Sequence, residues 1–236
     1  RRSNRGNNLI RIAAALALVA SAAAGQTSYD VLIRNGRILD GSGRPGYIAD
    51  VAIKADRIAA IGKLTDAEAK RVVDAKGLVV APGFIDVHSH DDYACIRQPE
   101  MTAKISQGVT TVVVGNCGLS TAPLRFPGEP EEPFNLLGDA KAFAYASFAD
   151  YAAAIDQARP AVNVAALVGH TTLRRICLPD LGKAASADER KQMQALLAEA
   201  LEAGATGMSS GVYYPPAAAA DLDELTALAP TVSAHG

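Results

Sequence analysis

The sequence predicts an α/β chain, with a small N-terminal β domain followed by about the first half of a (β/α)8 TIM barrel. Three observations carry this reading. Residues 29–75 form short β-like runs broken by turn residues, with no helical period long enough for a helix. From residue 78 onward, apolar strand-like runs alternate four times with helical segments, the pattern of parallel βα units. The first of those strands ends in a His-x-His pair and not in a glycine-rich phosphate loop. An open doubly wound sheet shows the same alternation, but barrels are the folds that collect chemistry at the carboxyl ends of successive strands.

The chain opens with Arg1, Arg2, Arg5 and Arg11, then the apolar run Ile12 to Ala20, then Ser21-Ala22-Ala23-Ala24-Gly25. A basic segment, a short apolar core and an A-x-A site form the pattern of a secretory signal, with cleavage expected after Ala24. The run falls short of the roughly 20 apolar residues that a membrane span needs. Residues 1–28 are therefore set aside as a leader, and export, to a bacterial periplasm, is expected.

The β domain occupies 29–77. Asp30–Arg34 is its first strand, Asn35-Gly36 reads as a hairpin turn, and Arg37–Asp40 follows. Further strands are expected at Ile48–Lys54, Arg57–Ile61 and Arg71–Asp74. The barrel segment is 78–236. Phe84–His88 is apolar enough for a strand buried on both faces. A helix is expected at Glu100–Gln107 with Gly108 to end it, then a strand at Thr110–Gly115. Residues 118–140 hold four prolines and three glycines and read as a long loop, a feature that is usually functional in a compact domain. A helix at Ser147–Ala158, a strand at Ala161–His170, a helix from Ser186 to about Ala203, a weak strand at Ala205–Gly211 and a helix from Asp221 complete the pattern. Ser186 with Glu189 three residues on is a capping box.

Composition narrows the classes of function. A formal net charge of −2 gives no electrostatic reason to expect nucleic acid as a partner. Three cysteines are an odd number for an exported chain, so at least one is unbridged or held by something other than sulfur. Cys117 is the candidate for the latter, while core packing or a bridge suits Cys95 and Cys177.

His88 and His90 are two apart, so in an extended chain both imidazoles face one side. Neutral, they form half of a zinc site. Cys117 lies in Gly115-Asn116-Cys117-Gly118, where flanking glycines let the backbone turn its sulfur toward the same mouth, and a thiol near a dication becomes a thiolate ligand for one or two metals. Asp86, Asp91 and Asp92 flank the pair and are placed to orient a metal-bound imidazole. His170 at the end of the third strand, and Tyr213 with Tyr214 after the fourth, are candidates to contact substrate, with structural packing the alternative for each.

These residues together resemble a known family. The run Ala81-Pro82-Gly83-Phe84-Ile85-Asp86-Val87-His88-Ser89-His90 resembles the first barrel strand of the amidohydrolase superfamily, and Val31–Gly41 resembles its small β domain. With Gly115-Asn116-Cys117-Gly118, Val168-Gly169-His170 and Tyr213-Tyr214-Pro215-Pro216, the chain is similar to N-acyl-D-amino-acid deacylases from about Tyr29 onward. The resemblance implies a site for one or two zinc ions with His88, His90 and Cys117 as ligands, the cysteine standing where many relatives carry a carboxylated lysine. It implies a small-molecule N-acyl amino acid as substrate and a zinc-activated water as nucleophile. The family takes two further His ligands and its catalytic Asp from later strands that are not among these residues, so no catalytic residue is assigned, and the chain is expected to be an inactive N-terminal portion. Oligomeric state is left open. Two alternatives stand beside this reading: another amidohydrolase, such as a cyclic-amide hydrolase or deaminase that does not need Cys117, and a non-catalytic metal-binding or interaction module.

Overall fold

A computed structural model describes residues 28–235, so residues 1–27 of the expected leader lie outside the described residues, while Ser28 already belongs to the first strand. Contacts divide the chain after Pro82, and the second unit runs Gly83–Gly236. This boundary falls beyond the expected 77/78, because Val79–Val80 pairs with the first strand.

In the first unit, β1 (Ser28–Ile38) is the centre of a sheet with β2 (Tyr47–Lys54), β3 (Arg57–Gly62), β4 (Glu68–Asp74) and β5 (Val79–Val80). The order is β3-β2-β1-β4, with β5 also on β1. The β1–β2 and β2–β3 pairs are antiparallel, and β4 and β5 join β1 in parallel. Asn35-Gly36 does not turn the chain into a hairpin. It makes a register shift inside one continuous strand, with Asn35 at φ 62°. The reason is visible in its bonds: the Asn35 amide donates to Asp50 Oδ1 at 2.9 Å and its side-chain amide to Asp74 Oδ1 at 3.0 Å, so neighbours on both sides hold the chain straight. Ile38, Ala49 and Val51 form the small core, while Ile48 and Ile58 on this sheet are exposed.

The second unit carries the alternation expected of a barrel. Its strands are β6 (Phe84–Asp86), β7 (Val109–Val114), β8 (Asn163–Ala166), β9 (Val168–Gly169) and β10 (Met208–Ser209). The first three form one parallel sheet in chain order, and β9 pairs with β10 in parallel. The third expected strand thus breaks at Leu167, whose amide still bonds the Val114 carbonyl at 3.0 Å. Helices α1 (Ala94–Arg97), α2 (Thr102–Ile105), α3 (Phe148–Ala158), α4 (His170–Cys177), α5 (Ala187–Glu202) and α6 (Leu222–Ser233) connect or follow the strands. Val112, Val114, Ala166 and Val168 meet Tyr151, Leu173, Leu197 and Leu228 in the main core.

Local chemistry explains most of the boundaries. Ser147 caps α3 and Ser186 caps α5, each accepting from the amide three residues on and each answered by an acidic side chain there. The expected helix at 100–107 shrinks to α2, because Pro99 precedes it, Met101 enters left-handed at φ 44° and Gly108 leaves left-handed at φ 77°. Helix α4 starts at Gly169 with no side-chain cap, so it sends no start signal in sequence. The β6 strand differs from expectation as well: Phe84 is 67% and Ile85 60% exposed, since among the described residues β7 is the only strand pairing with it. The proline-rich 118–140 segment is a packed lobe. Phe126, Phe134 and Phe143 meet edge to face at 5.0–6.0 Å over Leu119, Leu124 and Leu137.

Candidate metal centre

The first barrel strand delivers His88 and His90 just past Asp86, and the second delivers Cys117 just past Val114. The cysteine sits at φ 58° between Gly115 and Gly118, both at φ 77°. A non-glycine residue there costs roughly 1–2 kcal/mol and persists only where its surroundings enforce it. The result is one ligand atom each from His88, His90 and Cys117, all within 4.8 Å of one another. His88 Nε2 lies 3.0 Å from Cys117 Sγ, and the two imidazole centroids are 5.7 Å apart.

Neighbouring side chains brace these three positions. The Asn116 side-chain amide donates to the Val113 carbonyl at 2.8 Å and the Ser89 carbonyl at 3.3 Å, tying the cysteine loop to the histidine segment. Asp86 accepts the His88 backbone amide at 3.2 Å and the Lys104 ammonium at 2.7 Å, and Lys104 reaches Asp91 at 2.8 Å. The Lys104 hydrogen bond is the main cause holding the Asp86 carboxyl below its usual range. Asp92 is buried with its Oδ2 unpartnered, and burial pushes its carboxyl up to about 7. Asp86 and Asp91 therefore hold backbone, hydroxyl and lysine partners, and the expected bonds to the imidazole rings are not made.

A cation fits this group. Nδ1 of His90 is buried with no hydrogen-bond partner, an uncompensated position for a polar atom that direct metal ligation would relieve. Burial first, and the adjacent His88 second, lower the His90 pKa, which favours the neutral imidazole that binds metal. Borderline-soft zinc matches a nitrogen, nitrogen and sulfur set. Cys95 and Cys177 are free thiols outside the cluster, and burial pushes them up to about 12 and about 11, out of the reactive range.

The other expected residues lie elsewhere. His170 opens α4, is completely buried, and has both ring nitrogens engaged. Its Nε2 donates to Glu224 Oε1 at 2.7 Å, and Nδ1 lies 3.2 Å from the Ser210 hydroxyl. No face of it is left for a substrate, which corrects that expectation. Glu224 also takes the Arg174 guanidinium at 2.6 Å and the Ala185 amide at 2.9 Å, and this buried network was not visible in sequence. Tyr213 is 90% exposed, with its ring 5.8 Å from that of Tyr214. Tyr214 lines a cleft of about 300 Å3 with Glu132, Pro133, Asn135, Leu136 and Pro215, which places it, and not Tyr213, against the proline-rich lobe.

Residues 71–235 match the amidohydrolase family. Over 208 residues the chain is 50% identical to a D-aminoacylase of Alcaligenes xylosoxydans xylosoxydans, a match covering 88% of this chain and 43% of that protein. It superposes with a TM-score of 0.85 at 48% identity on a D-aminoacylase with a binuclear metal center, covering 88% of this chain and 44% of that one. The N-acyl-D-glutamate deacylase of Bordetella bronchiseptica, complexed with zinc and a phosphonate inhibitor that mimics the tetrahedral intermediate, gives 0.84 at 46% identity over 88% and 44% of the two chains. The chain thus spans less than half the length of these relatives.

Proposed function

Given that the chain belongs to the amidohydrolase family, we propose that it supplies the His-x-His and cysteine part of a zinc-dependent hydrolase that cleaves the amide of N-acyl-D-amino acids. One observation carries the reading: His88, His90 and Cys117 converge within 4.8 Å from two successive strands. A zinc ion held by these three would supply Lewis acidity, activating water and polarising an amide carbonyl. Asn116 keeps the two ligand-bearing segments in register, and Lys104 with Asp86 fixes the His88 backbone. The substrate class is supported by the D-aminoacylase and N-acyl-D-glutamate deacylase matches. Export to a periplasm is supported by the basic, apolar and small-residue order of residues 1–25. No described helix is long and apolar enough to cross a membrane.

Two measurements test the proposal. Equilibrium dialysis should show zinc bound by the chain and a Cys117→Ser variant weakened more than about 100-fold, since changes behind the ligands alone cost about 10–100-fold. Unchanged zinc binding in Cys117→Ser would favour an amidohydrolase that does not use the cysteine. The protein expressed from its native gene should release free amino acid from N-acetyl-D-leucine and not from the L enantiomer; equal turnover of both overturns the substrate assignment.

A further inference from the structure

We propose that Ser209 is a positioning residue for Cys117, holding the cysteine loop in the shape that presents its sulfur to zinc; this rests on the zinc reading above. The last residue of β10, Ser209 uses its hydroxyl twice. It donates to the Gly115 carbonyl at 2.5 Å and accepts the Gly118 amide at 2.9 Å. One small side chain thereby closes both ends of the Gly115–Gly118 loop, across 94 and 91 positions of sequence. The loop needs such a closure because three of its four residues, Gly115, Cys117 and Gly118, are left-handed.

The segment bearing Ser209 is itself fixed. Ser210 lies 3.2 Å from His170 Nδ1, and His170 is anchored by Glu224 at 2.7 Å. A Cβ on Gly211 would stand 2.0 Å from the Cys117 carbonyl oxygen, so main chain rests directly on main chain there. Buried His170 thus acts at a distance, as the rear support of the serine pair. A side chain in this position with one donor and one acceptor matches the two loop groups that face it, and alanine offers neither.

The test compares the unmodified chain with Ser209→Ala, Ser209→Thr and Cys117→Ser. Zinc affinity is read by competition with a chromophoric chelator, and the sulfur by the thiolate-to-metal charge-transfer band of the cobalt(II)-loaded chain. Ser209→Ala should bind zinc about 10–100-fold more weakly and lose most of the band, and Ser209→Thr, which keeps the hydroxyl, should restore both. A folded Ser209→Ala with unchanged affinity and band overturns the inference. If Cys117→Ser itself binds zinc as well as the unmodified chain, Cys117 is no zinc ligand, and the proposed ligand set fails together with the serine assignment. Should Ser209→Ala fail to fold, hydrogen exchange in the unmodified chain decides: a slowly exchanging Gly118 amide supports the clamp, and a freely exchanging one overturns it.

Discussion

At the scale of single residues, the site is shaped as much by missing side chains as by those present. A Cβ on Gly115 would stand 2.1 Å from the Leu167 carbonyl, one on Gly169 2.3 Å from the Gly118 carbonyl, and one on Gly211 2.0 Å from the Cys117 carbonyl. In each case the obstacle is backbone, which cannot swing aside as a side chain would. Gly211→Ala is therefore expected to destabilise the chain by about 1–3 kcal/mol in urea melts, as overpacked sites do. Gly128→Ala, where the new methyl would meet nothing within 4 Å, should change stability by no more than about 1 kcal/mol. The convergence of His88, His90 and Cys117 was legible in sequence because its signals are local: two histidines two apart after an apolar run, and a cysteine between glycines. The roles of His170 and Ser209 were not, because their partners lie 54 and more than 90 positions away.

Among the elements, α4 and α6 are joined through one buried carboxylate. Burial alone would raise the Glu224 pKa, but hydrogen bonds from His170, Arg174 and the Ala185 amide outweigh it and hold the group at about 2, below its ordinary 4.5. A carboxyl depressed in the folded state adds stability that is complete above its unfolded pKa and disappears as pH falls to the folded one. The urea midpoint should accordingly decline between about pH 4.5 and about pH 2. Glu224→Gln should remove this part of the decline and cost about 3–5 kcal/mol at neutral pH, because Arg174 is left buried without its counter-ion. Elements with strong local signals kept their expected bounds, as the capping boxes of α3 and α5 show. Where a local signal met a stronger distant one it lost: Asn35-Gly36 has the residues of a hairpin, yet β2 on one side and β4 on the other make it a bulge.

For the molecule as a whole, the apolar run that identifies the first barrel strand is also widely exposed. Phe84, Ile85 and Val87 are 67%, 60% and 70% exposed. Contiguous apolar surface on a strand with a free edge promotes association. The apparent mass in light scattering should rise with concentration, and the double change Phe84→Lys and Ile85→Lys should suppress that rise; an unmodified chain monodisperse at all concentrations would contradict it. The long-range contacts around Cys117 bear on timing as well as on position. Gly115 and Gly118 are gripped by a serine more than 90 residues downstream, and contacts of that span close late because a long loop must be paid out first. The cysteine loop therefore gains its serine partner only when β10 is docked beside it. The shape of the loop that carries Cys117 is thus held from a different βα unit, and a chain without β10 would lack the hydroxyl that closes it.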